Sequence, residues 1–255
     1  MSLSSRVYSI GVWLIIVWTL TTAVGQTTSP QQAPWRPPPK RSDALKVQVV
    51  TGGHDYDASF YSLFEGYDDL DARVNPHPSA FGGDLRRRAE VLVLYDHIRS
   101  LQPKQREHLQ AFVESGKGVV ILHHAICDSV DWPWWYEEVA GGRWLFEPFE
   151  GKPATTYRHD EDILVRPVGA HPITRGLRPF RIWDETYKGL WISPKVKVVL
   201  ETDHANSDGP LAWISPYPKS RVIYLQLGHD RNAHLNPEYR GLVRNAILWS
   251  AGRLN

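Results

Sequence analysis

A single cysteine, Cys127, in 255 residues excludes an internal disulfide, so any exported form of this chain must stand without covalent staples. Excess charge is also missing: 29 Lys and Arg face 28 Asp and Glu. That balance leaves no basic stripe to neutralise phosphates and sets nucleic acid aside as a partner. No Gly-Lys-Ser/Thr ending follows Gly52-Gly53-His54, and the full glycine spacing of a dinucleotide fingerprint is absent, so no nucleotide cofactor is expected. A compact His-Glu-x-x-His zinc motif is lacking, and a metal site would have to be assembled from distant segments. The apolar stretch from Val12 to Leu20 is shorter than the roughly 20 residues that span a bilayer.

What is present begins with a leader. Arg6, that apolar stretch and the small-residue tract Thr21-Thr22-Ala23-Val24-Gly25 fit a secretory signal over residues 1–25, which predicts a secreted or periplasmic protein with no stable membrane insertion after cleavage. Residues 26–43, with Pro37-Pro38-Pro39, read as an extended linker. One domain, residues 44–255, remains, with 42% of the chain hydrophobic.

Within it, strand-like runs at 46–50, 72–75, 91–95 and 118–122 stand at spacings that admit helices between them. Leu109, Phe112 and Val113 mark a helix over 106–115, and a second amphipathic helix is expected over 239–250. Residues 154–167 form a β-rich excursion, and later strands are expected at 196–201, 211–214 and 221–227. Such alternation predicts an α/β fold with a mostly parallel sheet covered on both faces.

The most informative motif is His123-His124, which ends the run Gly118-Val119-Val120-Ile121-Leu122 and precedes Ala125. A buried parallel strand that stops at a tight turn presents its terminal residues where α/β sheets bind ligands. The turn offers imidazole and no Ser or Cys nucleophile, which points to acid/base or metal-assisted chemistry. Three other strand ends carry similar groups: Thr51-Gly52-Gly53-His54-Asp55, Asp96-His97 and Gly228-His229-Asp230. Taken singly, Asp55 or Asp96 could cap a helix, and a lone His is more often structural. Convergence of four ends on one edge favours a pocket. A second cluster joins His171-Pro172-Ile173, read as a turn element, to Trp183-Asp184-Glu185-Thr186-Tyr187, which supplies acid/base groups and a flat ring suited to stacking on a sugar. Trp132, Trp134 and Trp135 read either as a carbohydrate cleft or as a packed loop anchor.

Taken together, Gly-Gly-His, Leu-His-His-Ala, Gly-Gly-Arg-Trp, His-Pro-Ile-Thr-x-Gly-Leu, Asp-Glu-Thr-Tyr, Pro-Leu-Ala-Trp and Arg-Val-Ile-Tyr-Leu-Gln-Leu-Gly-His-Asp make residues 45–252 resemble the ThuA-like, or trehalose-utilisation, family. The resemblance implies a flavodoxin-like three-layer sandwich similar to class I glutamine amidotransferases. It places His123 where those enzymes hold their nucleophilic Cys, and His229 near their catalytic His. Without a thiol at the elbow the thioester route is closed, so a Cys-dependent amidotransferase is rejected. One departure is Leu145-Phe146-Glu147-Pro148, where family members often carry a further His; if that His serves metal or substrate in relatives, this chain uses Glu147, His159 or nothing in its place.

The resemblance also implies carbohydrate metabolism that extends to 3-keto sugars. The expected activity is therefore cleavage or rearrangement of a glycoside or 3-keto-glycoside. His123 or His229 is the expected base, Glu185 or Tyr187 the acid, and His54, Asp96, His123 and His229 the ligands of a divalent metal such as zinc. Gly53, His124, Trp183 and Trp213 are the substrate-binding candidates. The alternative is a non-catalytic carbohydrate-binding module that keeps the old pocket. Oligomeric state is left open.

Overall fold

The computed structural model describes residues 39–255; the expected signal segment and most of the linker lie outside the described residues. In chain order the strands and helices are β1 (Leu45–Gly52), β2 (Leu70–Pro76), β3 (Val91–Asp96), α1 (Pro103–Glu114), β4 (Gly118–Leu122), β5 (Gly142–Arg143), β6 (Thr156–Pro167), β7 (Phe180–Lys188), β8 (Trp191–Ile192), β9 (Lys197–Glu201), β10 (Pro210–Ile214), β11 (Val222–Leu225), α2 (Arg231–His234) and α3 (Pro237–Ser250).

Nine strands form one sheet in the order β2-β1-β3-β4-β11-β10-β9-β6-β7, while β5 and β8 pair separately. From β2 to β11 every pairing is parallel. Continuous burial along β3 and β4 follows, because helical layers cover both faces of that half. On one face Leu109, Phe112 and Val113 of α1 pack with Val119 and Ile121. On the other, Leu242, Val243, Ala246 and Ile247 of α3 pack with Val120 and Leu122. This is the expected flavodoxin-like α/β sandwich. Beyond β11 the sheet continues as an antiparallel wing, β10-β9-β6-β7.

Local signals explain the helix ends. Pro103 sits in the first turn of α1, and the Gln102 and Gln105 side chains close a capping box there. Asn236 accepts from the backbone N–H of Glu238 and Tyr239 at the start of α3, again ahead of a Pro.

Two expectations change. The spacings between β1, β2 and β3 admit helices, but 3-10 turns occupy them, at Ala58–Leu63, Ser79–Phe81 and Leu85–Arg87. Asp57 caps the first of these, so neither Asp55 nor Asp96 serves as the cap. The Trp132-to-Trp135 group belongs to the core: Trp135 is fully buried, and Trp132 and Trp134 pack against the same cluster. His171 caps the 3-10 turn Pro172–Thr174, as a turn element should. Among the described residues no helix is long and apolar enough to cross a membrane.

Candidate functional site

The site forms where the ends of β4 and β11 meet the wing. β4 ends at His123, whose backbone is left-handed with φ +50°, a costly conformation for a residue with a Cβ. Surrounding bonds hold it there. The Tyr224 hydroxyl donates to the His123 carbonyl at 3.2 Å, and His123 Nδ1–H donates to the Gln226 carbonyl at 2.7 Å. On the other side of the ring, Nε2 lies 3.1 Å from Glu185 Oε2 and 3.0 Å from the Tyr187 hydroxyl. With an acceptor at each nitrogen, the imidazole favours its doubly protonated form. Because Gly adopts positive φ freely, His123→Gly should unfold at a higher urea concentration than His123→Ala, with a difference of about 1 kcal/mol. Equal midpoints would show that the backbone carries no strain.

Glu185 is the hub. Its carboxylate is buried, with Oε2 on His123, Oε1 3.1 Å from His159 Nδ1, and Oε2 3.6 Å from His229 Nδ1. Burial opposes its ionisation, but the hydrogen bond and charge of His123, aided by His229 and His159, hold it below the ordinary carboxylate range. Burial equally opposes charge on His123, yet Glu185 and then Asp184 draw that imidazole above its ordinary value. His229 is held below its own by burial and by His123. Burial keeps the Tyr187 phenol protonated.

Asp184 fixes the frame. Its Oδ1 accepts the backbone N–H groups of Glu185 at 2.8 Å and His229 at 2.9 Å, and its Oδ2 accepts that of Gly228 at 2.8 Å. Burial pushes this carboxyl up to about 6, against the pull of His123 and those amides. β7 is thereby pinned to the loop after β11.

Exposure sorts the cluster. His123, Glu185 and Tyr187 are buried, whereas His229 is partly exposed and His159 is about half exposed, with 48% of its side chain accessible. His159 comes from β6, beside Asp160, where the β6–β7 ladder takes an extra residue and φ reaches +59°. Such a bulge re-aims the side chains next to it. Glu185 and Tyr187, expected to donate protons, are enclosed instead and hold the imidazoles in place.

One ligand atom each from His123, Glu185 and His229 lies within 4.8 Å of the others. In a tetrahedral zinc site with bonds of about 2.0–2.1 Å, ligand atoms stand about 3.3 Å apart. The 3.1 and 3.6 Å separations from Glu185 bracket that spacing. Among the described residues this is the group whose geometry could hold an ion, and two of the expected ligands stand outside it. Asp96 is fully buried and engaged by His77 Nδ1 at 3.1 Å, and exposed His54 stacks on the His124 ring at 4.5 Å. Neither belongs to the group, and Glu185 takes their place.

The substrate-binding candidates divide. Gly53 is exposed, and its positive φ lets the turn pass the His97 carbonyl, which a Cβ would strike. His124 is buried beside His123, with Nδ1 unpartnered. Trp183 is half exposed, its indole N–H donating to Asp160 at 3.2 Å. Trp213 is corrected to a core residue: it is fully buried and donates to the Ala140 carbonyl at 2.9 Å, so no substrate meets it. Cys127 is buried, which raises its thiol pKa and keeps it inert.

The sequence pattern described as ThuA, trehalose utilisation, matches residues 47–250. The chain belongs to this family. Its fold is similar to that of a protein described as ThuA-like from Parabacteroides merdae, at 18% identity and a TM-score of 0.73, over 83% of this chain and 92% of that one. A second, also described as ThuA-like, from Bacteroides uniformis, gives 18% identity and 0.62 over 84% and 94%. A cytoplasmic protein of Salmonella typhimurium gives 14% and 0.58 over 81% and 99%. At such identities the likeness is one of fold. No curated protein matches the chain.

Proposed function

We propose that this ThuA-family protein, acting after export, cleaves or rearranges a carbohydrate, a glycoside or 3-keto-glycoside, by acid/base chemistry with a divalent metal such as zinc. The observation that supports the reading is Glu185, a buried carboxylate ringed by His123, His159 and His229. A 3-keto group acidifies the neighbouring C2–H bond, which makes proton removal the natural first step. His159 is the most exposed of the three imidazoles, and Glu185 orients it, so it is the base. As the C2–H bond breaks, its electron pair forms the enolate, and the proton passes to His159. The C1–O bond then breaks with its pair leaving on oxygen, and the imidazolium returns the proton to that oxygen. When bound by His123, Glu185 and His229, a divalent ion supplies positive charge that stabilises the developing enolate.

His159→Ala should lower kcat/KM on a 3-keto-glucoside by about 10²-fold or more while leaving metal content unchanged. Steady-state rates and elemental analysis of the same preparations check both halves. Full activity without His159 would remove it from the mechanism. Sugar binding without turnover across a panel of 3-keto-glycosides would instead favour a binding module.

A further inference from the structure

We propose that the mouth of the site carries a subsite for a carboxylate on the part of the substrate remote from the bond that breaks, and that Arg99 reads it. The inference rests on the reading of the His123–Glu185–His159–His229 cluster as the reacting centre.

Phe146 is 39% exposed, and the Arg99 guanidinium lies over its ring, 3.9 Å from the centroid. Arg99 is itself exposed and takes part in no ion pair or hydrogen bond among the described residues. The place is close to the reacting groups. Trp144 stands 6.4 Å from Phe146 and 5.1 Å from Tyr187, ring to ring, and the Tyr187 hydroxyl touches His123. The His97 ring lies parallel to Phe146 at 6.1 Å, and His54 bridges His97 and His124 at 6.4 and 4.5 Å.

Two nitrogens along this wall are buried without partners, Nε2 of His97 and Nδ1 of His124; the latter side chain is more than nine-tenths buried. Arg99, which keeps its charge at any ordinary pH, is the permanent cation of the wall. Glu147, the acid nearest to Phe146 in sequence, forms no ion pair among the described residues, and Asp96 is engaged by His77. A guanidinium held over a ring keeps its N–H edge free, and that edge matches a carboxylate in two parallel hydrogen bonds.

The test uses a matched pair, the 3-keto-glucosides of 4-carboxyphenol and of 4-carbamoylphenol, similar in size but differing in charge. Wild type should prefer the carboxylate by about 10-fold in kcat/KM, mainly through KM, and the preference should shrink at high salt. Arg99→Gln should bring the ratio to about one without slowing the neutral substrate, and Arg99→Lys should retain part of it. Equal rates in wild type, or a preference that survives Arg99→Gln, would overturn the subsite while leaving the reacting cluster intact. If neither compound is turned over, the proposed reaction fails, and calorimetric binding of the same pair to wild type and Arg99→Gln decides the subsite alone: a carboxylate preference lost with Arg99 supports it, and equal binding rejects it.

Discussion

Glu185→Gln should lower kcat/KM on a 3-keto-glucoside by about 10³-fold and strip the protein of bound divalent metal. The amide retains the size of the side chain but loses the charge that faces three imidazoles, and its NH2 group cannot accept from His123 or His159. His123 loses the interaction that does most to draw its pKa upward, and the fold should lose about 1–2 kcal/mol. For His123 the folded pKa is raised, so its pairing contributes fully below the unfolded value near 6.5 and fades as pH rises through the folded one. The stability difference between wild type and Glu185→Gln should therefore narrow on going from pH 6 to pH 9. Rates, metal content and urea midpoints on one preparation separate these effects. Retention of a tenth or more of the activity with metal still bound would remove Glu185 from the centre of the site.

The largest loss of stability is expected at Asp184. Replacing it with Ala leaves the backbone N–H groups of Glu185, Gly228 and His229 without their acceptor. At about 1–3 kcal/mol for each unsatisfied buried donor, the cost should reach about 4 kcal/mol, at the upper end for a single substitution. Asp184→Asn adds a test of sign. The folded pKa of about 6 lies above the unfolded value near 3.9, so the group's contribution is complete below pH 4 and is lost as pH climbs to 6. Asn carries no such dependence. Its deficit relative to wild type should therefore shrink by about 2 kcal/mol between pH 4 and 7. A constant deficit across that range would show that Asp184 titrates normally.

Much of the framework was legible in the sequence, for a physical reason. Strands buried on both faces must be apolar throughout, and Val91 to Tyr95 and Gly118 to Leu122 declare themselves in that way. The edge of the sheet that bears His123 and His229 followed from the same runs. Depth was harder to read. Trp213 and Glu185 stand in equally suggestive motifs, but one lies in the packed core and the other at the site, and only the wing's path separates them. His159 was missed as a principal group because the extra residue at Asp160 breaks the alternation: counted back in twos from Ile163 and Val165, His159 falls on the core face, whereas the ladder sets it beside Glu185. The one available signal came from the family resemblance, the lack of a His after Gly141-Gly142-Arg143-Trp144, which left Glu147, His159 or no residue in its place.

The antiparallel wing has a dynamic consequence. β7 ends the ladder order of the sheet, yet Asp184 and Glu185 dock on groups that follow β4 and β11, so the outermost strand is clasped by the site it helps to build. Release of the β6–β7 hairpin would carry Glu185 and His159 away from His123 and His229 and leave the parallel layers intact. Inactivation on heating should then precede global melting, and amide hydrogens of β7 should exchange before those of β3 and β4. In this chain, activity and local order of one hairpin are the same observable.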